Sequence, residues 1–460
     1  MATWLLFLVL IVLSVAGYYM GRNRSLAVVG GRASSLHSLP SYHGWYIIAW
    51  CGLPALLLFG VWIALEEWIV RSIVIGGLPP SLANLPADKL GLVITDVRNL
   101  AAGVGSLASA SPEIKAAVAH YLSLFGISKA AMWVVLLSLF MAGAMLARSR
   151  IAPPFRARNI TERVLQIILL VSAMLAILTT VGIVLSLIFE AFRFFSKVPP
   201  QEFLFGLTWS PQTALRAEQV GSSGAFGAVP LFVGTLLIAL IAMLVAVPIG
   251  LMSAVYMSEY AHANVRSVAK PALEVLAGIP TVVYGFFAAL TVAPLIREAG
   301  GALGLDVASQ SALAAGLVMG VMIIPFVSSL SDDVINAVPR SLRDGAYALG
   351  ATQAETVRQV ILPAALPGIA ASVVLAFSRA LGETMIVVMA AGLAANLTVN
   401  PLAAVTTVTV HIAALLVGDQ EFDSPKTLAA FALGLVLFLV TLSLNIFALR
   451  LVNKYRERYD

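Results

Sequence analysis

Nine separate runs of this sequence are apolar enough and long enough to cross a bilayer, and no other feature constrains the fold as much. A helix rises about 1.5 Å per residue, so roughly 20 apolar residues cover about 30 Å of hydrocarbon. The runs are 4–20, 45–65, 125–147, 164–189, 229–257, 272–296, 311–330, 367–391 and 428–449. The 460 residues are 60% hydrophobic and 11% charged, against about 45–50% and 25% in soluble domains. A water-soluble globular protein is excluded. The expected fold class is an all-α polytopic membrane protein of about nine transmembrane helices. The single cysteine, Cys51, lies in an apolar run, so no intrachain disulfide is possible.

Lysine and arginine accumulate in cytoplasmic loops. With nine spans and an external N-terminus, the inside loops 21–44, 148–163, 258–271, 331–366 and 450–460 hold 17 basic residues, and the outside loops hold 9. Arg148, Arg150, Arg156, Arg158 and Arg163 cast the strongest vote. No basic region precedes the first run, while Arg22, Arg24 and Arg32 follow it. That is the pattern of a retained helix and not of a signal peptide. The C-terminus is then cytoplasmic.

Segment 66–124 is the longest external stretch and reads as a small, partly helical external domain. The Thr- and Val-rich stretch 402–417, which carries His411, has about 16 residues, short for a span. Making it cross would move Arg450, Lys454, Arg456 and Arg458 outside, against the charge rule, so it is expected to be re-entrant or interfacial on the outer side.

The sequence has no G-x-x-x-x-G-K-[ST] phosphate cradle, no H-E-x-x-H and no usual metal-ligand spacing among its His and Cys. No catalytic residue, metal site or cofactor is assigned, and nothing points to nucleic acid. If ATP drives the protein, another chain binds it. The cytoplasmic segment 331–366 holds Asp344, Gly345, Ala346, then Gly350, then Val360, Leu362 and Pro363. Apolar positions at helical spacing suggest two short helices bent at Gly350–Ala351–Thr352, forming a compact knob. The alternative is an amphipathic linker lying on the membrane surface.

These residues resemble the permease subunits of binding-protein-dependent ABC importers. The family pattern is E-A-A-x-x-x-G-x9-I-x-L-P, and this chain reads D-G-A-Y-A-L-G-x9-V-I-L-P. Asp344, Gly345 and Val360 depart from the pattern at the first turn and at the Ile position. The stretches 194–211, 230–261, 278–285 (GIPTVVYG) and 378–392 (SRALGETMIVVMAAG) look like the permease of phosphate importers, PstC type. The resemblance covers roughly 160–460. It implies a six-helix permease core over 161–460, with 331–366 as the loop that couples to an ATPase, and a three-helix N-terminal extension over 1–160. It also implies inorganic phosphate as substrate and three protein partners: a second permease of PstA type, a cytoplasmic ATPase dimer of PstB type that binds ATP and Mg, and an external phosphate-binding protein. The location is then a bacterial inner membrane, in contact with membrane lipid.

Arg379 and Glu383 fall inside the eighth run, four apart and therefore on one helix face. An unpaired charge at the bilayer centre costs at least about 2.5–3.5 kcal/mol on insertion scales, so both must face protein or water. They are either a structural ion pair or, as the resemblance favours, a cation on the route of an anion with its neutralising partner. Pro248 and Pro280 interrupt their runs, with Gly250, Gly278 and Gly285 nearby, and mark either gates or packing kinks. Gly316 and Gly320 form a small-x-x-x-small face. An importer of another oxyanion or nutrient is the nearest rival. An ion-coupled secondary transporter is the rival from a different class.

Overall fold

The computed structural model describes residues 3–83, 85–104, 111–211, 224–417 and 423–455. Arg456 and Arg458, counted with the inner loops, and Arg216, counted with the outer ones, lie outside the described residues. Among the described residues, nine helices are long and apolar enough to cross a membrane. The chain divides into two compact units, Met1–Leu178 and Thr179–Asp460.

The first unit contains α1 (Thr3–Val28), α2 (Pro40–Gly76), α3 (Pro80–Ala83), α4 (Ala87–Ala101), α5 (Pro112–Ser149) and the start of α6 (Ala157–Phe195). Tyr46, Ile47 and Cys51 of α2 bury against Leu10 of α1 and against Phe140 and Ala144 of α5. At 37 and 38 residues, α2 and α5 run about 55 Å and outreach the bilayer. Much of 66–124 is therefore the projecting ends of these two helices, and the expected external domain shrinks to α3 and α4. Leu90, Ile94 and Val97 of α4 pack on Ala117, Val118 and Tyr121 of α5. Just below, Lys129 of α5 meets Glu66 of α2 at 2.5 Å. Ser128 donates to the other Glu66 oxygen at 2.8 Å and accepts from the Trp62 indole at 3.1 Å. Two charges placed in apolar helices are thus neutralised against each other.

The second unit continues α6 and adds α7 (Pro200–Phe205), β1 (Trp209–Ser210), β2 (Ala225–Phe226), α8 (Val229–Val255), α9 (Ala263–Ala277), α10 (Thr281–Phe287), α11 (Ala293–Ala302), α12 (Ala312–Ala337), α13 (Arg340–Ala348), α14 (Gln353–Thr356), α15 (Leu362–Leu381), α16 (Met385–Ala390), α17 (Val408–Leu415) and α18 (Pro425–Tyr455). The strands form one antiparallel pair with Trp209 opposite Phe226, the sole departure from all-helical structure among the described residues. π-helical turns at Tyr256–Tyr260, Ala288–Val292 and Val357–Ile361 follow α8, join α10 to α11 and join α14 to α15.

Three sequence expectations need correction here. Pro248 does not interrupt its span, because α8 runs through it. Pro280 is not inside a span but stands at the N-cap of α10. The sixth span accordingly starts at Thr281 and not at residue 272, and α9 before it is a separate helix. The stretch 402–417 forms a helix only over Val408–Leu415. At about 12 Å this helix cannot span, and Val405, Thr406, Thr407, Val408 and Val410 are buried. As expected, then, the segment does not cross, and its start is packed into the unit.

The centre of the second unit is the seam between α8 and α12, where Ile238, Ala242 and Ala246 meet Met319 and Ile323. Small residues let the two backbones approach. A Cβ on Gly316 would sit 2.6 Å from Ile241, and one on Gly320 would sit 2.9 Å from Val245 and 3.0 Å from the Ala242 carbonyl oxygen. Gly320→Leu should therefore force the seam apart and cost about 1–3 kcal/mol, the range for overpacking a close interface. Thermal unfolding of the purified protein in detergent checks this, with Leu244→Ala, at an exposed position of α8, expected to leave the midpoint nearly unchanged.

Candidate substrate path and coupling surface

The run R-A-L-G-E-T-M is a helix break. The eighth span is Gln353–Leu381, so Arg379 occupies its last turn and Glu383 lies beyond it. The two do not share a helical face and form no ion pair, which overturns that expectation. After Gly382 the chain restarts as α16, and the Glu383 carboxylate serves that restart. Its Oε1 accepts from the backbone N–H of Met385 at 3.0 Å and of Ile386 at 3.3 Å. The Thr409 hydroxyl donates to the Glu383 carbonyl at 2.8 Å. Glu383 is buried, at 9% exposure. Its charge belongs at an N-terminus whose free N–H groups need an acceptor. Arg379 is exposed, with no carboxylate partner among the described residues.

The floor of this region is tied to neighbouring elements. Val408 N–H donates to the Thr235 hydroxyl at 3.0 Å, linking α17 to α8. Trp209 Nε1 donates to His411 Nδ1 at 3.2 Å. Burial pushes the His411 imidazole below its ordinary pKa, opposed by a bond to the Leu393 backbone. His411 thus packs beside Trp209 as its hydrogen-bond acceptor.

At the other end of α15 the expected knob exists but is smaller than 331–366. Residues 331–337 still belong to α12, and Gln353 already opens the eighth span, so the non-spanning part is α13 and its turn. Gly350 adopts φ +86. Its N–H bonds to the Tyr347 carbonyl at 2.9 Å, and Ala351 N–H bonds to the Ala346 carbonyl at 3.1 Å. This pairing is a Schellman end, which requires a left-handed residue that glycine supplies without strain. Thr352 and Glu355 then close a capping box that starts the next helix. Asp344, Gly345 and Gly350 are exposed and Ala346 is half-buried. Val360 lies in the π turn, and Leu362 and Pro363 follow it inside the continuous eighth span. Leu349, at 92% exposure, is an apolar side chain at the tip that none of the described residues covers.

Two ionic anchors hold the knob, and the sequence reading missed both. Arg343 of α13 meets Glu259 at 2.9 Å and donates to the Val338 and Ile335 carbonyls at 2.7 and 2.8 Å. Gln353 donates to the Glu259 carbonyl at 2.5 Å. Asp332 of α12 is wholly buried. It accepts from Arg266 and Lys270 of α9 at 3.0 Å each and from Asn336 at 2.9 Å. The Asp332 carboxylate holds the Lys270 ammonium above its usual pKa. The missed signal was two cations four apart in an amphipathic segment, together with an acid inside an apolar run.

The carboxylate of this anchor is enclosed, while its cations keep 34% and 32% exposure. Removing both cations strands a buried charge, whereas removing Asp332 leaves cations that reach water. Arg266→Ala with Lys270→Ala should therefore cost more than Asp332→Ala, at roughly 3 kcal/mol, the low end for uncovering a buried ion, because the cation rims are wet. Denaturation midpoints of the two variants give the order.

Residues 246–457 match the family described as the binding-protein-dependent transport system inner membrane component, and residues 7–179 match one described as a phosphate ATP-binding cassette transporter. A probable ABC transporter permease protein, YqgH of Bacillus subtilis strain 168, is 32% identical over 315 residues, covering 68% of this chain and 97% of that one. This chain belongs to the binding-protein-dependent ABC permease family. Two phosphate transport system permease proteins PstC are also similar. That of Mesorhizobium japonicum is 32% identical over 262 residues, covering 52% of this chain and 74% of the relative. That of Haemophilus influenzae is 34% identical over 250 residues, covering 50% and 78%. An ABC permease is a multi-pass, non-catalytic membrane subunit that works with an ATPase, which binds the ATP, and with a binding protein. An ion-coupled secondary transporter is thereby set aside.

Proposed function

We propose that this permease carries inorganic phosphate inward, receiving it from an external phosphate-binding protein and paired with a PstA-type permease over a PstB-type ATPase dimer. The observation that carries this reading is Arg379. It is exposed on a membrane-spanning helix, and no acid in the described chain neutralises it. Glu383, the one carboxylate in its motif, is committed to the α16 backbone. A bare guanidinium in the last turn of a span persists beside water or an external anion. Phosphate near neutral pH is a mono- or dianion whose lost hydration needs a fork of N–H donors, which arginine offers. The PstC relatives support the choice of phosphate. The Lys and Arg balance of the loops supports a bacterial inner-membrane placement with the N-terminus outside and the C-terminus cytoplasmic. Residues 161–460 act as the permease core, with the extension before them.

A second permease has a surface to meet. Leu165, Leu169, Leu170, Ile177, Ile183 and Leu185 of α6 are all exposed, and these side chains suit lipid or the partner permease. The knob tip, with Leu349 and Tyr347 exposed beside Gly350, fits a groove on the ATPase.

Arg379→Gln should abolish phosphate uptake per assembled complex, and Arg379→Lys should restore only part of it, since an ammonium cannot reproduce the planar fork. Uptake of labelled phosphate, normalised to complex recovered by pull-down, is the measurement; full transport by Arg379→Gln would end the reading. Leu349→Asp touches no packed atom and should leave thermal stability unchanged, yet it should remove most of the stimulation of ATP hydrolysis by loaded binding protein. Assay in reconstituted vesicles separates this loss of coupling from loss of assembly.

A further inference from the structure

We infer that the first unit carries a binding surface for anionic phospholipid headgroups at its arginine-rich end. Two loops build it, one between α1 and α2 and one between α5 and α6. They are stitched together: His37 N–H donates to the Pro153 carbonyl at 3.1 Å, and Arg158 N–H donates to the Ser38 hydroxyl at 3.2 Å. Arg22, Arg24 and Arg32 stand on the first loop and its flanks, and all three are exposed. Arg148, Arg150, Arg156, Arg158 and Arg163 stand on the second, also exposed. Against eight arginines, segments 21–44 and 148–163 hold one acid, Glu162, and it is taken by Arg158 at 2.6 Å.

Orienting a helix bundle needs positive charge of either kind, lysine or arginine. Here every basic residue is arginine, the side chain whose planar fork matches two phosphate oxygens at once. Arg150 lies over the Trp50 ring at 5.7 Å, and Arg148 Nη1 donates to Met20 Sδ at 3.7 Å. The guanidinium groups are therefore held on a built face and do not hang from loose loops. One turn deeper, Met145, Leu146 and Trp45 are exposed large apolar side chains. The arrangement is a lipid-facing wall topped by unneutralised guanidinium groups, which puts them at headgroup level. The occupant is a phosphodiester joined to acyl chains. Free phosphate would match the charge but leave the wall uncovered.

The test uses the full chain purified in zwitterionic detergent, mixed with equal amounts of phosphatidylglycerol and phosphatidylcholine of matched acyl chains, with retained lipid counted by native mass spectrometry. Wild type should keep phosphatidylglycerol in preference, and 5 mM inorganic phosphate should not displace it. The triple change Arg148→Gln, Arg150→Gln, Arg156→Gln should lower phosphatidylglycerol retention by about a hundredfold, leaving phosphatidylcholine unchanged, since each basic side chain near a headgroup is worth roughly a fivefold factor. Should the triple variant fail to insert, Arg150→Gln alone is read, with about a fivefold fall expected. Equal retention of the two lipids by wild type, an unchanged preference in the variants, or displacement by inorganic phosphate overturns the inference. No ATPase or binding protein enters the assay, so its outcome is independent of the phosphate-transport reading.

Discussion

In hydrocarbon every backbone N–H and C=O must find a partner inside the protein, and this requirement explains where the chain can stop being a helix. The stops are few and each is served by a particular side chain. At the end of α9 the Tyr284 hydroxyl donates to the Leu276 carbonyl at 2.9 Å. After α15 the Glu383 carboxylate takes two N–H groups of α16 and Thr409 covers the Glu383 carbonyl. The start of α17 borrows the Thr235 hydroxyl from α8. With the backbone satisfied at these points, the Arg379 side chain stays exposed and without a carboxylate partner among the described residues.

Charge is distributed by the same logic. Of the enclosed carboxylates, Asp332, Glu259 and Glu66 each sit on a cation, while Glu383 is held by backbone N–H groups. The ion pairs join separate elements: α9 to α12, α13 to the turn after α8, and α2 to α5. Replacing such a pair with apolar residues is often neutral for stability. Their shared feature is that each fixes a relative position that apolar packing alone would let slide. Arginines are densest at the loop end of the first unit, where one acid, Glu162, faces eight of them.

The spans were legible because apolar length is a strong signal and a membrane offers few alternatives to a helix. Boundaries near breaks were not. A run such as 272–296 reads as continuous because Gly278 and Pro280 are apolar in composition, although the proline has no N–H and caps α10. Pro248 misled in the opposite sense, since its freed carbonyl is tolerated within α8. Position Gly350 was readable as a bend, and the Thr352 to Glu355 spacing carries a capping box in plain view. The pairing of Arg379 with Glu383 followed from helical spacing alone and failed because a glycine between them ends the helix. Contacts such as that of Asp332 with Arg266, 66 residues apart, leave no local pattern to read.

The eighth span joins the two functional ends mechanically. It begins at Gln353, whose side chain holds the Glu259 carbonyl beside the knob, and ends with Arg379 in its last turn. Its 29 residues make a rod of about 43 Å. Packed interiors transmit displacement instead of absorbing it, so a push on α13 is carried along this rod. The π turn Val357–Ile361 is the one irregular stretch on the way, and it lies at the knob end, with Val357 and Ile361 buried against Ile335 and Val338. Beyond it the span is α-helical to Leu381, with Pro367 inside α15. On the proposed reading, displacement at the knob would reach the guanidinium without disturbing the break that Glu383 caps.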